Sequence, residues 1–144
     1  MTIFSYIDLT KTNYTVKVDA RVLSAPNVNR LLEIWDDYCV YKKFPSQWPY
    51  YAEQFYDMRH DIIGYFDNNE LVAWSMIYKI NEDVCEAIQF AWDYKNPRLH
   101  LGLASLRAEC AIYKEKGYKT FMLGEAHEYK KQLSGFSIYG PPNG

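Results

Sequence analysis

The thiols and imidazoles of this 144-residue chain, the side chains that would build a structural metal site or a thiol nucleophile with its base, are few and scattered. Cys39, Cys85 and Cys110 each lie within an apolar segment, and three histidines are spread along the chain. A cysteine nucleophile needs a base beside it, and a structural metal site needs pairs such as Cys-x-x-Cys or His-x-x-x-His. Neither pair occurs, so no metal is expected, and Cys85 and Cys110 read as small core hydrophobes rather than nucleophiles. The odd cysteine count argues against a disulfide framework and for reduced thiols in the cytoplasm.

Aromatics make up 17% of the chain, with 14 Tyr and 4 Trp, and these can fill a core and its rim or stack on a ligand in a cleft. The formal net charge is −2, and no run of Lys and Arg exceeds a pair, so the electrostatic footprint of a duplex-binding protein is missing. No window approaches the roughly 20 apolar residues that cross a bilayer. Nor does the start Met-Thr-Ile-Phe-Ser-Tyr carry a basic stretch before an apolar run, so no membrane partner and a cytoplasmic location are expected. With 49% hydrophobic and 24% charged residues, the composition is that of a globular protein, and the length suits a single domain over residues 1–144.

The elements that must position any site follow from periodicity. Val16, Val18, Ala20 and Val22 alternate, which predicts a strand from Thr15 to Leu23. Ser24-Ala25-Pro26-Asn27 offers helix-start chemistry. Val28, Leu31, Leu32, Trp35, Tyr38 and Cys39 then recur at helical spacing, with Arg30, Glu33, Asp36 and Asp37 facing outward. Pro45 and Pro49 break this helix, and a shorter one is expected through Tyr51, Phe55 and Met58. Strands at Ile62 to Phe66 and Leu71 to Tyr78 flank the turn Asp67-Asn68-Asn69, and a third runs from Val84 to Tyr94. Asn96 to Ser105 leads into a helix with the stripe Leu103, Leu106, Cys110 and Tyr113, ended by Gly117. A strand from Tyr118 to Gly124, a helix from Glu125 to Leu133 and a strand from Phe136 to Tyr139 complete the order.

That order, with the residues from Asp61 onward, resembles the GNAT superfamily of acyl-CoA N-acyltransferases. The resemblance implies an α/β (α+β) fold: a mixed, mostly antiparallel central sheet flanked by helices on both faces. In that family a Gln/Arg-x-x-Gly-x-Gly/Ala stretch at the start of the central helix holds the pyrophosphate of coenzyme A on free backbone N–H groups. Here Gly102-x-Ala104 stands at that place, Ser105 adds a hydroxyl, Arg98 sits one position early, and Leu99 fills the position that is usually Gln or Arg. By this resemblance Trp92, Arg98, Leu101, Gly102, Leu103, Ala104 and Ser105 would contact an acetyl-CoA or related acyl-CoA donor.

The resemblance also implies a catalytic pair. Glu86, on the strand before the central helix, would act as base, directly or through a water, and Tyr129, in the following helix, as acid. Glu86 follows Cys85 in an alternating strand, so a solvated carboxylate fits that position equally well. His127 and Glu128 are of residue types that could substitute for either partner. Trp48 to Tyr56 falls where family members place the lid over the acceptor. The acceptor implied is a small-molecule or peptide amine, with a homodimer as the compatible assembly.

Gly117-Tyr-Lys-Thr-Phe-Met-Leu-Gly124 and the following Glu128 to Phe136 are similar to the end of Fem-like aminoacyl transferase domains. This keeps aminoacyl-tRNA open as a donor beside CoA, with a non-catalytic binding protein on the same fold as the further alternative.

Overall fold

The hairpin turn closes on two asparagines. Asn68 and Asn69 both take positive φ, 51° and 66°, the pair of left-handed residues that matches a two-residue loop to strand twist and that Asn tolerates better than most. The turn joins β3 (His60–Asp67) to β4 (Glu70–Lys79), with Ile63 opposite Ser75. β5 (Val84–Trp92) lies antiparallel on the far edge of β4, with Ser75 opposite Phe90. The computed structural model describes residues 4–43, 57–93, 101–125 and 135–139. Apart from Met58 and Glu125, the helices expected through Tyr51 and Phe55 and from Glu125 to Leu133 lie outside the described residues; Glu125 itself ends a strand.

Among the described residues, these three strands belong to a seven-stranded sheet. Its order places β2 (Asp19–Val22) beside β3, and β6 (Thr120–Glu125), β1 (Phe4–Asp8) and β7 (Phe136–Tyr139) beyond β5. Every junction is antiparallel except β5 with β6. The architecture is therefore a mixed, mostly antiparallel sheet with a helix on each face.

α1 (Val28–Lys42) covers one face and α2 (Leu101–Glu115) the other. Asn27 caps α1 by accepting from the Arg30 N–H at 3.4 Å, and Lys43, with φ 60°, ends it. Leu31, Ile34, Trp35 and Cys39 pack on Ile62, Trp74, Met76 and Ala91, and Trp74 Nε1–H donates to the Leu31 carbonyl at 2.8 Å. Beneath α2, Ala108, Cys110 and Tyr113 pack with Ile7, Ile63, Ile77, Cys85 and Phe121. Each fully buried large aliphatic contributes roughly 1.5–3 kcal/mol. All three cysteines are free and buried, and loss of hydration raises each thiol's pKa, that of Cys110 to about 12.

Three local expectations are corrected. β1 had no sequence signal, yet it is an inner strand held by β6 and β7. The strand expected from residue 15 begins at Asp19, because residues 13–18 run along α2 instead; Val16 stays 43% exposed while Tyr14 and Val18 pack under the helix. Arg30, expected to face water, is half-buried: its stem lies along the protein while its Nη2 donates to the Leu71 carbonyl at 3.1 Å.

β1 and β7 meet at a glycine. Asp8 N–H donates to the Gly135 carbonyl at 2.9 Å, Gly135 has φ +73°, and a Cβ there would lie 2.6 Å from the Asp8 carbonyl oxygen. Gly135→Ala should therefore destabilise the fold by about 2 kcal/mol, read as a lower denaturant midpoint. An unchanged midpoint would mean that β7 shifts away from β1 at no cost.

Candidate active site

β5 and β6 part company halfway. They share a parallel ladder at Val84, Cys85 and Glu86, opposite Thr120, Phe121 and Met122. Above Glu86, β5 continues with β4 as far as Trp92, while β6 continues with β1 as far as Glu125. A wedge thus opens between the two strands, with its apex at Glu86 and Met122. A bulge helps: Met76 pairs with Gln89 and Ile77 with Ala87, so Ile88 is the extra residue that bends β5.

The backbone phase of β5 decides what faces the wedge. Asp93 N–H donates to the Val72 carbonyl on β4 at 2.8 Å. Strand alternation then turns the Ala91 amide toward β4 and the Phe90 amide away from it, toward the open edge. Consistent with this, the Phe90 carbonyl accepts from the Gln89 side-chain amide at 2.9 Å. The Phe90 N–H is a donor carried by rigid backbone, suited to a carbonyl oxygen that gains negative charge. Sequence reasoning missed it because a backbone donor leaves no residue signature.

Glu86 is half-buried at the wedge apex. It alternates with fully buried Cys85 and so points to the α1 side of the sheet, away from the core under α2. Directly opposite it stand Tyr78 on β4 and Met122 on β6, and the same row continues to His60 on β3 and Tyr6 on β1. α1 packs on the next rows, through Ile62, Met76, Trp74 and Ala91. The His60 ring stacks on Tyr78 at 4.9 Å. Its Nδ1 is 3.3 Å from Asp57 Oδ2, an ion-pair distance at an angle too bent for a hydrogen bond. The row thus gathers a carboxylate, a phenol and an imidazole on one half-covered face, an arrangement that can bind and deprotonate an amine.

The other expected site residues divide between described and undescribed regions. Helix α2 already includes Leu101, Gly102, Leu103 and Ala104, so Gly102-x-Ala104 forms its first turn rather than a preceding loop. Ala104 is half-buried, and Ser105 is 4% exposed on the sheet side. Trp92 ends β5 and packs against the core under α2. Arg98, Leu99, His127, Glu128, Tyr129 and the Trp48 to Tyr56 segment lie outside the described residues. Among those described, no group of three or more His, Cys, Asp or Glu could hold a metal ion, and no helix is long and apolar enough to cross a membrane.

Beneath β3 and β4 lies a carboxylate unrelated to any expected role. Glu109, 1% exposed, accepts from Ser75 Oγ at 2.9 Å and from the Tyr65 hydroxyl. The same hydroxyl lies 3.1 Å from the Ser105 carbonyl in the first turns of α2. Burial raises the Glu109 pKa to about 7 against the opposing pull of the two hydroxyls, and Tyr65 is raised well above its ordinary value by burial first and then by Glu109. Its spacing of four from both Ser105 and Tyr113 was a sequence cue to this face of the helix.

Known structures share this architecture. The chain matches no family model and no curated protein. It superposes on the C-terminal DUF2156 domain of a protein assigned as a lysylphosphatidylglycerol synthetase from Agrobacterium fabrum with TM-score 0.64 and 12% identity, over 87% of this chain and 46% of that one. A GCN5-related N-acetyltransferase from Kribbella flavida gives 0.58 and 15%, over 99% and 58%. A ribosomal-protein-alanine N-acetyltransferase from Brucella melitensis biovar Abortus gives 0.60 and 12%, over 86% and 95%. The chain thus spans about half the length of the first two. Its fold is that of the GNAT acetyltransferases, which the DUF2156 domain shares.

Proposed function

We propose that this chain is an N-acyltransferase that moves an acetyl or related acyl group from a CoA thioester to a small-molecule or peptide amine. The observation that carries this reading is the parting of β5 and β6 above Glu86, with the Phe90 N–H turned into the gap. The donor supplies an acyl carbon already activated as a thioester. Glu86, or a water it holds, takes a proton from the incoming ammonium, and the freed amine attacks the acyl carbon. The Phe90 N–H receives the oxyanion as the C–N bond forms. Tyr129 protonates the departing thiolate as the C–S bond breaks, and the second proton shed by the acylated nitrogen restores the phenol; an unperturbed phenol, with pKa near 10, still carries its proton at neutral pH. Trp92, Arg98 and the first turns of α2 from Leu101 to Ser105 hold the donor's pantetheine and pyrophosphate.

A charged tRNA is the less favoured donor, because a net charge of −2 offers little to a nucleic acid backbone. The test is thiol release from acetyl-CoA in the presence of a polyamine, an aminoglycoside or an alanine-terminated peptide. At least one amine should accelerate release about tenfold over the rate without amine, a 1.4 kcal/mol effect. Equal rates with and without every amine would overturn the acyl-transfer reading for this acceptor class.

A further inference from the structure

On the β2 side of α2, away from the β5–β6 wedge, the segment 13–18 and the helix enclose a cavity of about 440 Å³. Its walls include Asn13, Thr15, Lys17, Val18, Ala104 and Arg107 and, among the described residues, no carboxylate. Lys17 is exposed at the rim and Arg107 is half-buried, and among the described residues neither forms an ion pair or hydrogen bond. In a chain where 18 acidic residues outnumber 16 basic ones, two uncompensated cations in one acid-free cavity need a reason. Three other cavities walled by described residues all carry acids: Glu115 in the next one along the same seam, Glu33 and Asp36 in another, Asp57 and Asp61 in the third.

The cavity wall is anchored. Lys114 Nζ donates to the Thr12 carbonyl at one end of the segment, Tyr14 and Val18 pack into the core under α2, and Ala20 beyond it enters β2. The backbone that carries Lys17 is thereby held against the helix that carries Arg107, and both residues line the cavity, while the Asn13 amide and the Thr15 hydroxyl add neutral donors. A planar guanidinium, an ammonium and two neutral donors with no competing carboxylate suit a multiply charged oxyanion such as a phosphate.

We propose that Lys17 and Arg107 form a phosphate-binding site in this cavity. The site does not depend on the acyl-transfer reading. Its phosphate comes either from the far end of the nucleotide-bearing donor, passing over the start of α2, or from a separate phosphate compound.

Calorimetric titration of the full chain with pyrophosphate, CoA and 3′-dephospho-CoA separates these sources. Wild type should bind pyrophosphate, and Lys17→Gln/Arg107→Gln should weaken that binding at least tenfold, with melting used to confirm that the variant is folded. Loss of a tenfold preference for CoA over 3′-dephospho-CoA in the variant assigns the phosphate to the donor. Pyrophosphate binding that persists in wild type saturated with CoA assigns it to a separate compound. Pyrophosphate binding without CoA binding keeps the site and removes the acyl-donor reading. The proposal is overturned if wild type does not bind pyrophosphate, or if the folded double variant binds pyrophosphate and CoA as wild type does.

Discussion

Glu86→Gln should lower kcat for amine acylation about 100-fold, while donor affinity stays within a factor of two or so. The half-buried carboxylate at the wedge apex is the described group best placed to accept the ammonium proton, and glutamine keeps its size while losing its basicity. A general base of this kind contributes roughly 10²–10⁴-fold. Because the amide cannot take a proton from the ammonium, kcat/KM should fall together with kcat. A variant that retained the wild-type rate would remove Glu86 from the chemistry and reassign it to the solvated face that its alternation with Cys85 equally allows.

The second large effect lies under the sheet. Glu109 has a folded pKa of about 7 against an ordinary value of 4.5, because burial penalises its charge more than the hydrogen bonds from Tyr65 and Ser75 offset. The sign follows from proton counts. Between pH 4.5 and 7 the unfolded chain releases this proton and the native state keeps it, so the group's favourable contribution is complete below pH 4.5 and is lost as pH rises through 7. The span is on the order of 3 kcal/mol. Protonated Glu109 can donate to the Tyr65 oxygen and leave the Tyr65 hydrogen for the Ser105 carbonyl, whereas ionised Glu109 draws that hydrogen to itself. Wild type should therefore lose about 2 kcal/mol of unfolding free energy between pH 5.5 and 8, and Glu109→Gln should lose clearly less. Equal pH slopes for the two proteins would mean that Glu109 titrates with its ordinary value and that water reaches it.

What the sequence made legible was local. The stripe from Val28 to Cys39, the Asn68-Asn69 turn and Gly117, found here at φ +96°, each depend on residues within a few positions of one another. Hidden features depended on distant partners. β1 is five residues with no pattern of its own, and its place is set by β6 and β7 at the other end of the chain. Lys17 and Arg107 come to line one cavity through the course of residues 13–18, of which local alternation read the part from Thr15 onward as a strand. Glu86 could be singled out by resemblance, whereas the Phe90 amide could not, because it follows from a bulge at Ile88 and from the point where a ladder stops. The Gly-x-Ala spacing was legible, although Asn96 to Ser105 was expected to lead into the helix, whereas Leu101 already lies inside it.

The β5–β6 wedge is proposed to receive a thioester donor. Amide hydrogen exchange with and without millimolar acetyl-CoA tests this at the relevant backbone. Exchange should slow at Phe90 and at the amides of Leu101 to Ala104, with no change at the β3–β4 turn. Binding with unchanged exchange at Phe90, or no change anywhere at saturating ligand, would contradict it.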